Sequence, residues 1–174
     1  MIEPGQDRKI AALRPSMCVH FLFIKNYMFH VKHRGDYMNE YMKIAFEEAK
    51  VAYNEGNVPV GAVIVKNNSV ISKSHNIKNT SGVSIYHAEI LSIVDACNKI
   101  KSWYLDDCIM YVTLKPCKMC EAAIAESRIK KVFYLIDSNY SDNLDANISN
   151  INYIKCNNDK EYIEMISNFF KNIR

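Results

Sequence analysis

Beyond Met38 the apolar residues change period repeatedly, and few architectures accept the resulting order of elements. From Asn39 to about Asn54, Met42, Ala45, Phe46, Ala49, Ala52 and Tyr53 recur at helical spacing, with Asn39 as cap and Gly56 as stop. The runs Gly61–Val65 and Val70–Ser72 flank Asn67-Asn68, which reads as two antiparallel strands joined by a tight turn. A polar loop from about His75 to Ser84 precedes a helix over His87 to Lys99, with Ile90, Leu91, Ile93, Val94 and Cys97 on one face. Ile109–Leu114 reads as a buried strand, and Pro116 suits the first turn of a helix reaching about Ser127. Val132–Ile136 is a further core strand. Residues 138–152, rich in Asn, Ser and Asp, read as a long loop. A short strand near Tyr153-Ile154 and a last helix from about Lys160 to Lys171 complete the order. This succession predicts a three-layer α/β/α domain with a mixed central sheet.

Residues 1–37 do not join the pattern. They show no sustained period, and Pro4, Gly5, Pro15 and Gly35 interrupt them. We expect a poorly ordered N-terminal extension there, or a non-native start, with the folded domain spanning residues 38–174. Charge divides at the same place. The formal charge of +3 on its own points to an acidic partner such as nucleic acid. The first 37 residues hold six bases against three acids, and the remainder holds sixteen of each. The positive excess therefore lies wholly outside the predicted domain. Phe21–Ile24 is far shorter than the ~20 apolar residues of a membrane span, and no secretory pattern precedes it, so no membrane partner is expected. The six cysteines are scattered through a chain long enough to bury a core without disulfides. They read as reduced thiols of a cytoplasmic protein.

Two short motifs, His87-Ala88-Glu89 and Pro116-Cys117-Lys118-Met119-Cys120, each stand where a predicted helix begins. Alone, each is weak. A single His is more often an ordinary half-buried residue, and Cys-x-x-Cys serves redox pairs, zinc half-sites and buried thiols alike. Together they make a ligand set. Cys117 and Cys120 project from one helix face, and a helix N-terminus favours their thiolate forms. His87 adds a nitrogen donor. Sulfur with imidazole suits zinc, one ion per subunit, and three protein ligands leave a fourth position for water. Glu89 would take a proton from that water and return it to a leaving group. Its plainer reading is a first-turn acid favoured by the helix dipole. Cys97 lies about 15 Å along the same helix from His87. Cys108 and Cys156 lack the motif spacing, so all three are expected to be small buried or half-buried hydrophobes.

His-Ala-Glu followed by Pro-Cys-x-x-Cys resembles the signature of the zinc-dependent nucleoside and nucleobase deaminases, the cytidine/deoxycytidylate deaminase superfamily. Residues 38–174 look most like the bacterial tRNA-specific adenosine deaminases. The likeness extends to Val58-Pro59-Val60-Gly61-Ala62-Val63, Asn76, Tyr111-Val112-Thr113-Leu114, Ser127-Arg128-Ile129 and Phe169-Phe170-Lys171. It implies a cytidine deaminase-like fold, hydrolytic conversion of wobble adenosine to inosine in a tRNA anticodon loop, and a homodimer with its site near the subunit interface. It also implies that Asn76 hydrogen-bonds the ribose or base and that the backbone around Ala88 contacts the flipped base. Phe169 and Phe170 would lie near the anticodon loop, although core or interface packing accounts for both rings equally well.

Three departures border the implied pocket. Val83-Ser84-Ile85-Tyr86 replaces the usual Asp-Pro-Thr-Ala, and Lys115 stands where the family has Glu. The stretch 139–152 lacks the family's glycines. None touches the ligands or Glu89, so the departures bear on the substrate rather than the chemistry. Two alternatives stay open. One is the same reaction on a free base or nucleoside such as cytosine, guanine or cytidine; the other is a non-catalytic, zinc-stabilised RNA-binding domain.

Overall fold

The computed structural model describes residues 40–138, 150–157 and 159–172. The expectation for residues 1–37, and most of that for the 138–152 loop, lies outside the described residues. Helix α1, Glu40–Asn54, buries Met42, Ala45, Phe46, Ala49 and Ala52, the stripe read from the sequence. It ends where Gly56 adopts a φ of 79° and the Asn57 amide donates to the Ala52 carbonyl at 2.8 Å. That left-handed turn satisfies carbonyls which the helix itself leaves open. Strands β1, Gly61–Lys66, and β2, Ser69–His75, form the hairpin, with Asn67 and Asn68 at φ 49° and 61°. Two consecutive positive angles give the turn whose twist matches that of its strands.

The loop expected after β2 contains one turn of helix, α2, Lys78–Ser81. No apolar period announces it, because distant side chains hold it in place. Helix α3 (Ala88–Ile100), strand β3 (Cys108–Leu114), helix α4 (Lys118–Glu126), strands β4 (Lys131–Ile136) and β5 (Asn152–Lys155), and helix α5 (Lys160–Asn172) follow in the expected order. Among the described residues no helix is long and apolar enough to cross a membrane.

The sheet runs β2-β1-β3-β4-β5. Strand β1 is antiparallel to β2 and β3, whereas β4 is parallel to both β3 and β5. Alternation along each strand sorts its side chains into two cores. Ala62, Ile64, Met110, Val112, Val132 and Tyr134 pack with Ala88 and Ala96 of α3 and Ile124 of α4. Val63, Val65, Tyr111 and Leu135 pack with Met42, Phe46 and Ala49 of α1 and Tyr162 of α5. The three layers and the mixed sheet are those expected from the sequence.

Because β1 opposes β3, it begins where β3 ends: Ala62 faces Val112, and the Gly61 amide donates to Thr113 Oγ1 at 3.2 Å. The carboxyl ends of β2, β3 and β4 share this edge, and the segments leaving β2 and β3 lead to α3 and α4. Open α/β sheets bind ligands at such an edge. Only glycine fits at position 61. A Cβ there would lie 2.0 Å from the Ala45 carbonyl oxygen and 2.7 Å from the Ala49 amide nitrogen, both on the backbone of α1.

One ion-pair cluster ties α1 to β2. Glu48 accepts from Lys73 Nζ at 2.8 Å and meets His75 Nδ1 at 2.9 Å, while His75 Nε2 meets Glu55 at 3.2 Å. Burial pushes the Glu48 carboxyl up, but its bonds to Lys73 and His75 outweigh this and hold it below the usual carboxylate range. A lowered native pKa means that the stabilisation is complete above the unfolded value, about 4.3, and fades as pH falls through the native one. Glu48→Gln is therefore expected to cost about 1–2 kcal/mol at pH 7. The difference from wild type should shrink below about pH 4. Urea unfolding of both proteins at the two pH values measures it, and a pH-independent difference would refute the assignment.

Candidate metal centre

His87 and Cys117 occupy equivalent places in the fold, each as the N-cap of its helix. Both have extended backbone angles, φ −80°, ψ 153° for His87 and φ −78°, ψ 169° for Cys117. Neither side chain caps its own helix. The carbonyls start the helices instead, accepting from the Leu91 and Glu121 amides at 3.1 and 2.8 Å. The side chains are thus free to face one another. Cys120, one turn into α4 and fully buried, joins them.

His87 Nδ1 lies 3.7 Å from Cys117 Sγ and 3.5 Å from Cys120 Sγ, and all three donor atoms fall within 4.8 Å of one another. Tetrahedral zinc with Zn–S about 2.3 Å and Zn–N about 2.0–2.1 Å needs N···S edges of roughly 3.6 Å. The donor set fits that ion in both chemistry and spacing. Cys97 and Cys108 pack in the α3–α4 core and Cys156 in the α1–α5 core, and burial raises each of these thiols. Cys18 lies outside the described residues.

The two thiols and the imidazole share protons that a bound metal would displace. The Cys117 thiol is held down at about 3, first by a hydrogen bond from Cys120 and then by one from His87. Cys120 is raised in turn, first by its bond to Cys117 and then by burial. The His87 imidazole is raised by its bond to Cys117. One negative charge is thus shared over two sulfurs beside a nitrogen donor.

Glu89, in the first turn of α3, is only 4% exposed, and burial pushes its carboxyl up. Its Oε2 is fully buried without a hydrogen-bond partner among the described residues. A first-turn acid recruited only by the helix dipole would face solvent. A buried, unpartnered carboxylate oxygen beside two thiols and an imidazole is arranged to exchange protons with something that enters the site.

The other residues singled out in the sequence are placed as follows. Ala88 is fully buried at the start of α3. Asn76 is buried at the end of β2, its amide donating to the Val60 carbonyl at 2.9 Å and its Oδ1 accepting from the Lys78 amide at 2.8 Å. Phe169 is buried on α5, its ring 6.4 Å from Tyr53 and 5.5 Å from the half-exposed Phe170. Helix α5 packs in the layer across the sheet from α3 and α4. The sequence reading missed the completely buried Asn57, and it gave no role to Tyr153, half-buried on β5, whose hydroxyl is buried without a partner among the described residues. Neither sits in a motif, and strand periodicity marks Tyr153 only as half-buried.

Residues 36–136 match the family model described as the cytidine and deoxycytidylate deaminase zinc-binding region. The chain is 39% identical over 144 residues to the tRNA-specific adenosine deaminase of Rickettsia bellii (strain RML369-C), covering 76% of this chain and 99% of that protein. It is 47% identical over 94 residues to the tRNA-specific adenosine deaminase of Bacillus subtilis (strain 168), covering 54% of this chain and 58% of that one. A solved structure from work on A-to-I editing by tRNA:A34 deaminases superposes with a TM-score of 0.62 at 30% identity, over 67% of this chain and 96% of the other. Guanine deaminase from Bacillus subtilis superposes with a TM-score of 0.55, also at 30% identity, over 77% of this chain and 95% of the other.

Proposed function

The chain belongs to the cytidine and deoxycytidylate deaminase family, and on that premise we propose that it converts adenosine to inosine at the wobble position of a tRNA anticodon loop. The observation that carries the substrate is the 39% identity to a tRNA-specific adenosine deaminase over 99% of that protein's length. The reaction is hydrolytic cleavage of a C–N bond, with zinc as cofactor. His87, Cys117 and Cys120 hold the metal. When bound, zinc supplies a Lewis acid that lowers the pKa of a coordinated water to about 7.

Glu89 performs the proton transfers. It accepts one proton from the attacking water and delivers it to the purine ring nitrogen, then takes the second from the hydroxyl added at the ring carbon and delivers it to the amine, which departs as ammonia. Its burial suits both roles, since the raised carboxyl holds a proton between transfers. Asn76 and the backbone at Ala88 bind the nucleoside after it leaves its stack, a step that costs a few kcal/mol and least in a single-stranded loop. Phe169 and Phe170 are proposed to lie near the anticodon loop. The deaminase domain comprises residues 38–174 and works in the cytoplasm as a homodimer.

One observation favours a second reading, deamination of a free base: the likeness to guanine deaminase at 30% identity. A single assay separates the two. Purified protein is offered an anticodon stem-loop with adenosine at the wobble position, and free cytosine, guanine and adenosine in parallel. Inosine formed only in the RNA is the expected result; xanthine formed from guanine, with the RNA untouched, would select the alternative.

A further inference from the structure

We infer that Asn57 is a positioning residue for substrate binding, which sets the place of Asn76 by clamping α2. This rests on the deaminase reading of the loop between β2 and α3. Asn57 is completely buried, and a buried carboxamide persists only where its hydrogen bonds are made. All of those observed go to α2. Its Oδ1 accepts from the Asn79 amide at 2.9 Å, the Thr80 amide at 3.0 Å and the Thr80 hydroxyl at 3.3 Å. Its Nδ2 lies 3.1 Å from Thr80 Oγ1. Asn79 Nδ2 adds a bond to the Gly56 carbonyl at 3.0 Å.

Helix α2 needs such outside help. Four residues cannot meet the cost of nucleating a helix, and its own cap residue, Ile77, makes no side-chain capping bond. Asn57 supplies the missing acceptor from elsewhere in the chain. It is itself anchored, because its amide closes the end of α1 against the Ala52 carbonyl. The clamp thus refers the loop to a rigid helix.

What the clamp holds is the segment that leads into the site. The Asn76 carboxamide is oriented by its bond from the Lys78 amide, the first residue of α2. The same segment closes on itself at the far end, where the Ile77 amide donates to the Tyr86 carbonyl at 3.2 Å, immediately before His87. Releasing α2 frees the Asn76 carboxamide, although the Asn76 amide keeps its bond to Val60, whereas His87 keeps its own anchor as the cap of α3. The consequence falls on substrate affinity more than on the metal or the proton transfers.

The test uses the full-length, zinc-loaded protein and kinetics on the anticodon stem-loop. Asn57→Ala should raise KM about tenfold with kcat within about threefold of wild type, the signature of lost binding common to ground and transition states. Asn57→Asp keeps the acceptor and should stay within about threefold of wild-type KM. Zinc content should match in all three proteins. Hydrogen exchange at the Asn79 and Thr80 amides should speed up in Asn57→Ala and not in Asn57→Asp. An unchanged KM in Asn57→Ala, even with a lowered melting temperature, would leave only a structural role and overturn the inference. So would equal impairment of Asn57→Asp. If Asn57→Ala does not fold, Thr80→Val removes one partner alone and should raise KM about threefold; no change would overturn the inference. Should wild type deaminate guanine and not RNA, the substrate reading fails, and the same KM comparison is made on guanine. A wild type with no deaminase activity defeats the enzymatic reading itself, and with it the role in substrate binding; the exchange data then decide the clamp alone.

Discussion

Glu89→Gln is expected to lower kcat by roughly 10²–10⁴-fold, the usual contribution of a positioned acid–base group, while zinc content stays at wild-type level. The substitution is nearly isosteric and leaves His87, Cys117 and Cys120 in place. It removes the carboxyl to which the proton transfers are assigned. Stability provides a second readout with the opposite sign. Burial outweighs the bonds of the Glu89 carboxyl to Cys120 and to its own backbone and pushes it up, so the charged form is a cost in the folded state. A neutral amide should leave the unfolding free energy unchanged or higher. Activity within tenfold of wild type would remove Glu89 from the mechanism. A marked loss of stability would recast it as a structural acid.

Cys120→Ala is expected to do the reverse, losing the metal first and the activity as a consequence. Cys120 is fully buried and lies 3.5 Å from His87 Nδ1, so no solvent-facing side chain can swing in to replace it. Zinc measured after dialysis should fall from about one ion per chain to nearly none. Activity should become undetectable. Because zinc binds the folded chain and stabilises it by mass action, adding zinc at about 1,000 times its dissociation constant should stabilise wild type by about 4 kcal/mol. The same addition should do little for Cys120→Ala. Cys97→Ala, in the α3–α4 core, serves as the control and should keep its metal. Zinc retained by Cys120→Ala at the wild-type level would break the ligand assignment.

The two variants part along a line already visible in the chain. Three of the four residues offer soft or nitrogen donors at metal-ligand spacing, and the fourth is a carboxyl two places from a ligand. Residue type and local spacing carry that information, so it survives in a bare sequence. The elements are legible for the same reason. The stripe Met42, Ala45, Phe46, Ala49, Ala52 needs only the helical period, and Asn67-Asn68 needs only the backbone preference of asparagine. Helix α2 was not legible. Its bonds come from Asn57, on the far side of the hairpin, and a one-turn helix has no period of its own to read.

Charge taught a similar lesson. The +3 excess that first pointed toward nucleic acid belongs to residues 1–37, whose six bases all precede residue 36, where the match to the family model begins. The case for an RNA substrate stands on motif residues and on likeness to tRNA-specific adenosine deaminases, one of them matched over 99% of its own length, not on electrostatic attraction.

By itself, then, the sequence determined the order of helices and strands, the three-layer class, the donor set for zinc and the acid beside it. These depend on residue type and on separations of a few positions, where local geometry alone relates one side chain to the next. Tertiary structure alone decided that His87 meets two sulfurs at 3.5 and 3.7 Å, that Glu89 Oε2 is buried without a partner among the described residues, and that Asn57 holds α2. Each of these joins residues twenty or more positions apart, or depends on what covers them. Such distances arise only when β1 and β3 pair and the two helices are laid side by side over one end of the sheet.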